Sequence, residues 1–162
     1  MDVNLIACTR RALRSGLVSA AVAAAFAGWR ASAEGGTAVA PLNAVSHCLW
    51  PRRALVQTRF SIRYTLTGAA IHTASAVFWA TLFEVLCSRL RRDAPHADPV
   101  AVVTAAAATA ATAYVVDYHV VPERLAPGFD THMSRRSLAG VYIALAAGLA
   151  VGALLGKARE RA

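Results

Sequence analysis

Charge is nearly missing from four long stretches of this chain. Residues 15–29, 64–88 (Glu84 apart), 99–116 and 137–156 contain no Asp, Glu, Lys or Arg. Only 16% of the residues are charged, against about a quarter in a typical soluble domain, and the mean hydropathy is +0.45. A hydrocarbon core about 30 Å thick takes roughly 20 apolar helical residues at about 1.5 Å each. The last three stretches reach or approach that length, and the first does so if Arg30 snorkels, its charged head at the interface and its stem in lipid. The expectation is one integral membrane domain over residues 1–162, all-α, a four-helix transmembrane bundle with spans at about 13–33, 65–90, 99–121 and 137–157. The connections left over are too short and too basic for a second folded core.

Lysine is scarce as well. Lys157 is the only one, so the net charge of +8 rests almost wholly on Arg. The Arg residues cluster beside the apolar stretches: Arg10, Arg11 and Arg14; Arg52 and Arg53; Arg89, Arg91 and Arg92; Arg135 and Arg136. Guanidinium groups at span ends most simply meet lipid phosphate. A bilayer with anionic headgroups is therefore the expected partner, and nucleic acid is not. The three cysteines, Cys8, Cys48 and Cys87, make no CxxC or Cys/His zinc spacing. The last two belong to opposite membrane sides, too far apart to bridge. No HExxH, HxxxH or nucleophile motif occurs, so no catalytic residue, metal ligand or cofactor is assigned.

The N-terminus resembles an export signal in two ways. Arg10, Arg11 and Arg14 precede the apolar run 16–27, and Ala31-Ser32-Ala33 has the small residues of a cleavage site. Bulky Trp29 and Arg30 lie just before that site and the run is long, so a retained anchor helix is preferred over a cleaved signal. Leu5-Ile6-Ala7-Cys8 has the form of a lipoprotein box, but no basic region or apolar run precedes it. With the N-terminus inside, nine basic residues fall on the cytoplasmic side and eight outside, the inner nine in much shorter segments. The positive-inside rule then places both termini in the cytoplasm.

Each span has its own character. Arg30 and Glu34, one helical turn apart, can pair at the end of the first. The loop after it contains Pro41, the apolar segment 42–50 and Pro51, which reads as a short interfacial helix anchored by Trp50, Arg52 and Arg53. Thr65 or Thr67 is the expected N-cap of the second span, which carries Phe78, Trp79 and Phe83. The third is only Ala and Thr from 105 to 113 and suits the inside of the bundle, with Pro99 in its first turn and Pro122 at its end. In the fourth, Gly140, Ala144, Gly148, Gly152 and Gly156 recur every four residues as a helix-packing ridge. Such a ridge can join copies into a homo-oligomer or bind a membrane-complex partner. In a chain with several spans, packing against the Ala-rich third span is preferred.

Ionisable residues inside spans are costly and raise a functional question. They are His72, Glu84 and Asp117, with His119 at a span end. His72 and Asp117 lie near the same membrane face, to which the loops bring His47, Asn43 and His132, while His96 belongs to the other. His72 and Glu84, twelve residues apart, differ by about 120° around the helix and about 18 Å along it, so they cannot pair. The candidate polar site is therefore His72 with Asp117, closed by His47 or Asn43, with His119 nearby. Such a pair can bind a metal ion, relay a proton, or act as a hydrogen bond between helices. The last is the plainest reading. Glu84 is a candidate inner-face carboxylate, expected to pair with Arg89 and Arg91.

The segments 43–50, 72–84 and Asp117-Tyr118-His119-Val120-Val121-Pro122 through Pro127-Gly128-Phe129 resemble small, uncharacterised proteobacterial inner-membrane proteins with four predicted spans. The resemblance covers most of the chain and implies a location, not a chemistry. A non-enzymatic structural or accessory role in the inner (plasma) membrane is the reading preferred here. A small carrier of ions or protons using the outer-face His/Asp site, and a membrane enzyme acting on a lipid or quinone, are the alternatives.

Overall fold

The computed structural model describes residues 3–93 and 99–161, in which there are helices and turns but no strand. The helices are α1 (Val3–Ala33), α2 (Ala40–Val45), α3 (Thr67–Asp93), α4 (Pro99–Val115) and α5 (Arg135–Arg161). Four stretches are long and apolar enough to cross a membrane: Ile6–Ala33, Ile62–Arg89, Pro99–Val120 and Arg135–Gly156. The protein is thus an all-α, multi-pass membrane bundle. Successive spans alternate in direction, which puts the start of α1 and the end of α5 at one end, the terminal end. The α1–α3 and α4–α5 loops share the other, the loop end.

The packing order departs from the one expected. The Ala-rich α4 does not occupy the middle. α1 and α5 form the central pair: α1 also touches α3 along another face, while α4 leans on α5 and more lightly on α3. Only 33% of the α4 span is enclosed, against 56% for α5. The small-residue ridge of α5 accordingly faces α1 instead of α4. A Cβ on Gly148 would lie 2.5 Å from Ser19 Cα, one on Gly152 2.7 Å from Ser15 Cα, and one on Gly140 2.6 Å from the Phe26 ring. Serine completes the contact: Ser19 Oγ donates to the Leu145 carbonyl at 2.9 Å. Arg14 Nε adds a bond to the Gly152 carbonyl at 3.0 Å. The ridge had a complement in Ser15 and Ser19, small polar residues four apart on α1, and not in the alanines of α4.

The second span begins earlier than its threonines suggest. A π-helical turn, Ile62–Leu66, precedes α3, and its N-cap is Ser61. Ser61 Oγ accepts from the Tyr64 N–H at 3.4 Å, and the Ser61 N–H donates to Thr65 Oγ1 at 2.9 Å. Thr65 therefore reaches back from inside the first turn.

The short helix of the first loop is α2, extended by a 3-10 turn at Ser46–Cys48. Ala40, Pro41, Asn43, Ala44 and Val45 are buried, so it sits between the loop ends of α1 and α3. Gly68 permits this, because a Cβ there would overlap the Leu42 carbonyl oxygen. Beside it, Trp50 meets Tyr64 edge-on at 5.3 Å and the Arg63 guanidinium at 4.5 Å, residue types common at membrane interfaces.

Glu34 ties the end of α1 to the start of α5. Its carboxylate accepts from Arg30 at 3.0 Å, from the Ser134 N–H at 2.6 Å, from the Ser134 hydroxyl at 3.1 Å, and from the Ser137 hydroxyl. A negative charge at the N-terminus of α5 is also favoured by the helix dipole. The Ser137 hydroxyl first, and the Ser134 backbone next, hold the Glu34 carboxyl down to about 2 from its ordinary 4.5.

Gly148→Ala should lower stability by about 1–3 kcal/mol, the usual cost of overpacking. Gly140→Ala should cost less, because the Phe26 ring can turn aside while Ser19 Cα cannot. Thermal unfolding in one detergent ranks the two, and the reverse order would mean that the α1–α5 contact is looser than drawn. For Glu34, a folded value below the unfolded one means stability present above pH 4.5 and lost as pH falls toward about 2. Glu34→Gln should lower the melting temperature at neutral pH and remove that part of the acid-side decline. An unchanged acid profile would uncouple the clasp from folding.

Candidate functional site

His72, Glu84 and Asp117 lie within the spans, and each is held from a helix other than its own. Glu84, on α3, is almost fully enclosed. It accepts from Ser15 Oγ on α1 at 2.8 Å, and Arg11 Nε lies 3.5 Å away, an ion pair without hydrogen-bond geometry. These two replace the partners expected on its own helix. Arg89 is exposed and makes no ion pair with Glu84, and the Arg91 side chain lies outside the described residues, as does His96. The α1–α3 contact explains the switch, since Gly16 brings α1 against Val77 one residue beyond Ser15.

His72 and Asp117 line the same cavity near the loop end but do not bond to each other. His72 Nε2 is 3.1 Å from the Ala20 carbonyl of α1. A carbonyl can only accept, so Nε2 carries a proton, and in a neutral ring Nδ1 is then an acceptor. Asp117 Oδ2 accepts from the Tyr142 hydroxyl of α5 at 2.7 Å. Asp117 does not continue the regular helix. It sits in a π-helical turn, Val116–Val120, closed by a bond from the Val121 N–H to the Val116 carbonyl at 2.9 Å. π-turns are rare and often accompany functional sites. This one presents Asp117 toward α5, and an aromatic group of Tyr114, Tyr118 and Tyr142 packs around it.

The cavity, about 130 Å³, is walled mainly by apolar and aromatic residues, among them Trp79, Phe129 and Tyr142. Ser75 lines it and is exposed on α3, so the cavity is open on that side. Below it, Phe83, Val102, Ala105, Ala106 and Leu149 close-pack α3, α4 and α5.

The other candidates serve the loops. Asn43 does not reach the cavity: its Nδ2 donates to the Gln57 and Arg59 carbonyls at 2.9 and 3.0 Å, and its Oδ1 accepts from Thr65 at 2.6 Å. His47 lies between the Ala44 and Glu123 carbonyls at 2.9 and 3.0 Å, and whichever nitrogen carries the proton donates to one of them. It links α2 to the α4–α5 loop, while its neighbours Val45 and Cys48 line the cavity instead. His119 is exposed, its ring 5.6 Å from Tyr114. His132 lies in the α4–α5 loop, where burial lowers its pKa from the ordinary 6.5. Among the described residues, Cys8, Cys48 and Cys87 form no disulfide. Among the described residues, no three His, Cys, Asp or Glu side chains come together as a metal site.

Tyr142 was the site residue hidden in the sequence. Its signal was being the one aromatic residue on the fourth span, Arg135–Gly156. Comparison with protein-family models, with curated proteins and with solved structures found no match. The functional reading therefore rests on geometry.

Unequal enclosure gives unequal consequences. Glu84→Ala strands Arg11 and Ser15 and should cost about 3 kcal/mol, the low end for one partner of a buried pair, because Arg11 still reaches solvent. Tyr142→Phe removes one hydrogen bond and should cost about 1–2 kcal/mol. Unfolding of both variants in the same detergent tests the order. Equal losses would mean that Glu84 is no better anchored than Asp117.

Proposed function

We propose that the protein is a non-enzymatic structural or accessory protein of the bacterial inner membrane, with both termini in the cytoplasm. The observation that carries this reading is that the in-span ionisable groups act as links between helices: Glu84 joins α3 to α1, His72 joins α3 to α1, and Asp117 joins α4 to α5. Buried polar groups used this way fix helix register in an apolar solvent. The reading includes retention of the first span, since α1 carries the contacts to α3 and α5. Exposed Arg10 and Arg89 at the terminal end, and Arg52, Arg53, Arg135 and Arg136 at the loop end, are placed to meet anionic lipid headgroups.

Thiol labelling in membranes tests this against a carrier. With Cys8, Cys48 and Cys87 replaced by Ser, Ser75→Cys should react with a membrane-permeant maleimide and resist a charged, impermeant thiosulfonate added from either side. Labelling by the charged reagent would reveal a water path to the cavity, and the carrier reading would then displace this one. A fluorescent protein fused after Ala162 should mature, and alkaline phosphatase fused there should stay inactive. The opposite pattern would invert the orientation.

A further inference from the structure

The cavity at the loop end carries a chemistry that packing alone does not require. Three aromatic rings, Trp79, Phe129 and Tyr142, line it beside His72 and Asp117, and among the described residues no Lys or Arg does. Its free polar atoms are mostly acceptors. The His72 ring stands edge-on to Phe129 at 5.8 Å and, with its proton committed to Ala20, offers only a lone pair on Nδ1. Tyr142 donates to Oδ2 of Asp117, and Oδ1 accepts nothing. An anionic ligand would meet this carboxylate with no cation to offset it. A ligand with only acceptor oxygens would find Ser75 as its main donor. Positive charge with apolar bulk suits both features, because aromatic faces attract cations, most strongly where water is excluded.

We propose that this cavity binds the ammonium headgroup of a small lipophilic cation, with Asp117 as counter-charge and Trp79, Phe129 and Tyr142 as its walls. The volume of about 130 Å³ holds a headgroup, not a whole amphiphile. The rest of the molecule lies on the open side marked by Ser75, along α3 and in lipid. Binding here goes beyond the scaffold role and requires no transport.

The test uses the full chain in zwitterionic lipid nanodiscs with 15N-labelled tryptophan. The probe is benzyltrimethylammonium, and its uncharged carbon isostere, neopentylbenzene, is the control. The Trp79 indole signal should shift saturably with the cation and little with the isostere, while Trp29 and Trp50 stay put. Asp117→Asn keeps an acceptor for Tyr142 and should raise the apparent Kd about tenfold or more, as loss of a desolvated counter-charge requires. Ser75→Phe fills the open side without touching any charge and should abolish the shift, which keeps the test decisive if Asp117→Asn does not fold. The proposal is overturned if the isostere shifts Trp79 equally, if folded Asp117→Asn binds as wild type does, if all three indoles move together as in bulk partitioning, or if Trp79 does not respond.

Discussion

The close approach of α5 to α1 is the contact on which the other arrangements depend. Lipid chains are as apolar as leucine, so helices in a bilayer gain little from burying apolar side chains against one another. They gain from atoms packed at short range and from polar bonds made there. Gly148 and Gly152 bring the α5 backbone against Ser19 and Ser15, close enough for Ser19 to reach the Leu145 carbonyl. With that face of α1 used by α5, the neighbouring face at Gly16 and Ala20 receives α3. Ser15 lies where the two contacts meet, against Gly152 of α5 and bonded to Glu84 of α3.

What remains for α4 is the outside of α5 and the edge of α3. Its alanines pack well on one face, but on the other they leave a shallow apolar groove with α5, lined by Ala107, Ala111, Ile143 and Ala147. Toward the terminal end the large Phe83 ring fills the space between α3, α4 and α5. Toward the loop end the cavity opens between Trp79 and the Asp117 turn. The loops then close the bundle from above, with Asn43 and His47 committing their hydrogen bonds to loop carbonyls.

The spans could be read from the sequence because expulsion of charge is a property of each segment alone. Pairing could not, because a four-residue repeat of small side chains says that something approaches closely without saying what. The complement in α1 was two serines within a run of alanines, a weaker signal than the uninterrupted Ala/Thr face of α4. His72 and Asp117 were placed at one level correctly by counting residues along straight helices. Their partners were not, because the π-turn at Val116–Val120 changes the direction of Asp117, and no local residue preference marks such a turn in advance. Asn43 and His47 were assigned to the site for being polar and near. The carbonyls of an irregular loop had the stronger claim on them.

The contrast between the two carboxylates shows how far a polar group in a membrane can be taken as structural. Glu84 has a hydroxyl and a guanidinium beside it. Its counter-charge comes from the protein itself, as a carboxylate in a bilayer requires. Asp117 has one hydrogen bond, partial exposure and a cavity at its side. A tyrosine hydroxyl is a neutral donor and leaves the charge of a carboxylate uncompensated, whereas the guanidinium beside Glu84 does not. An arrangement serving only to join α4 to α5 could do so with two hydroxyls or an amide, at lower desolvation cost. A carboxylate kept beside aromatic walls, with one oxygen free, is better matched to a visiting positive charge than to the helix opposite.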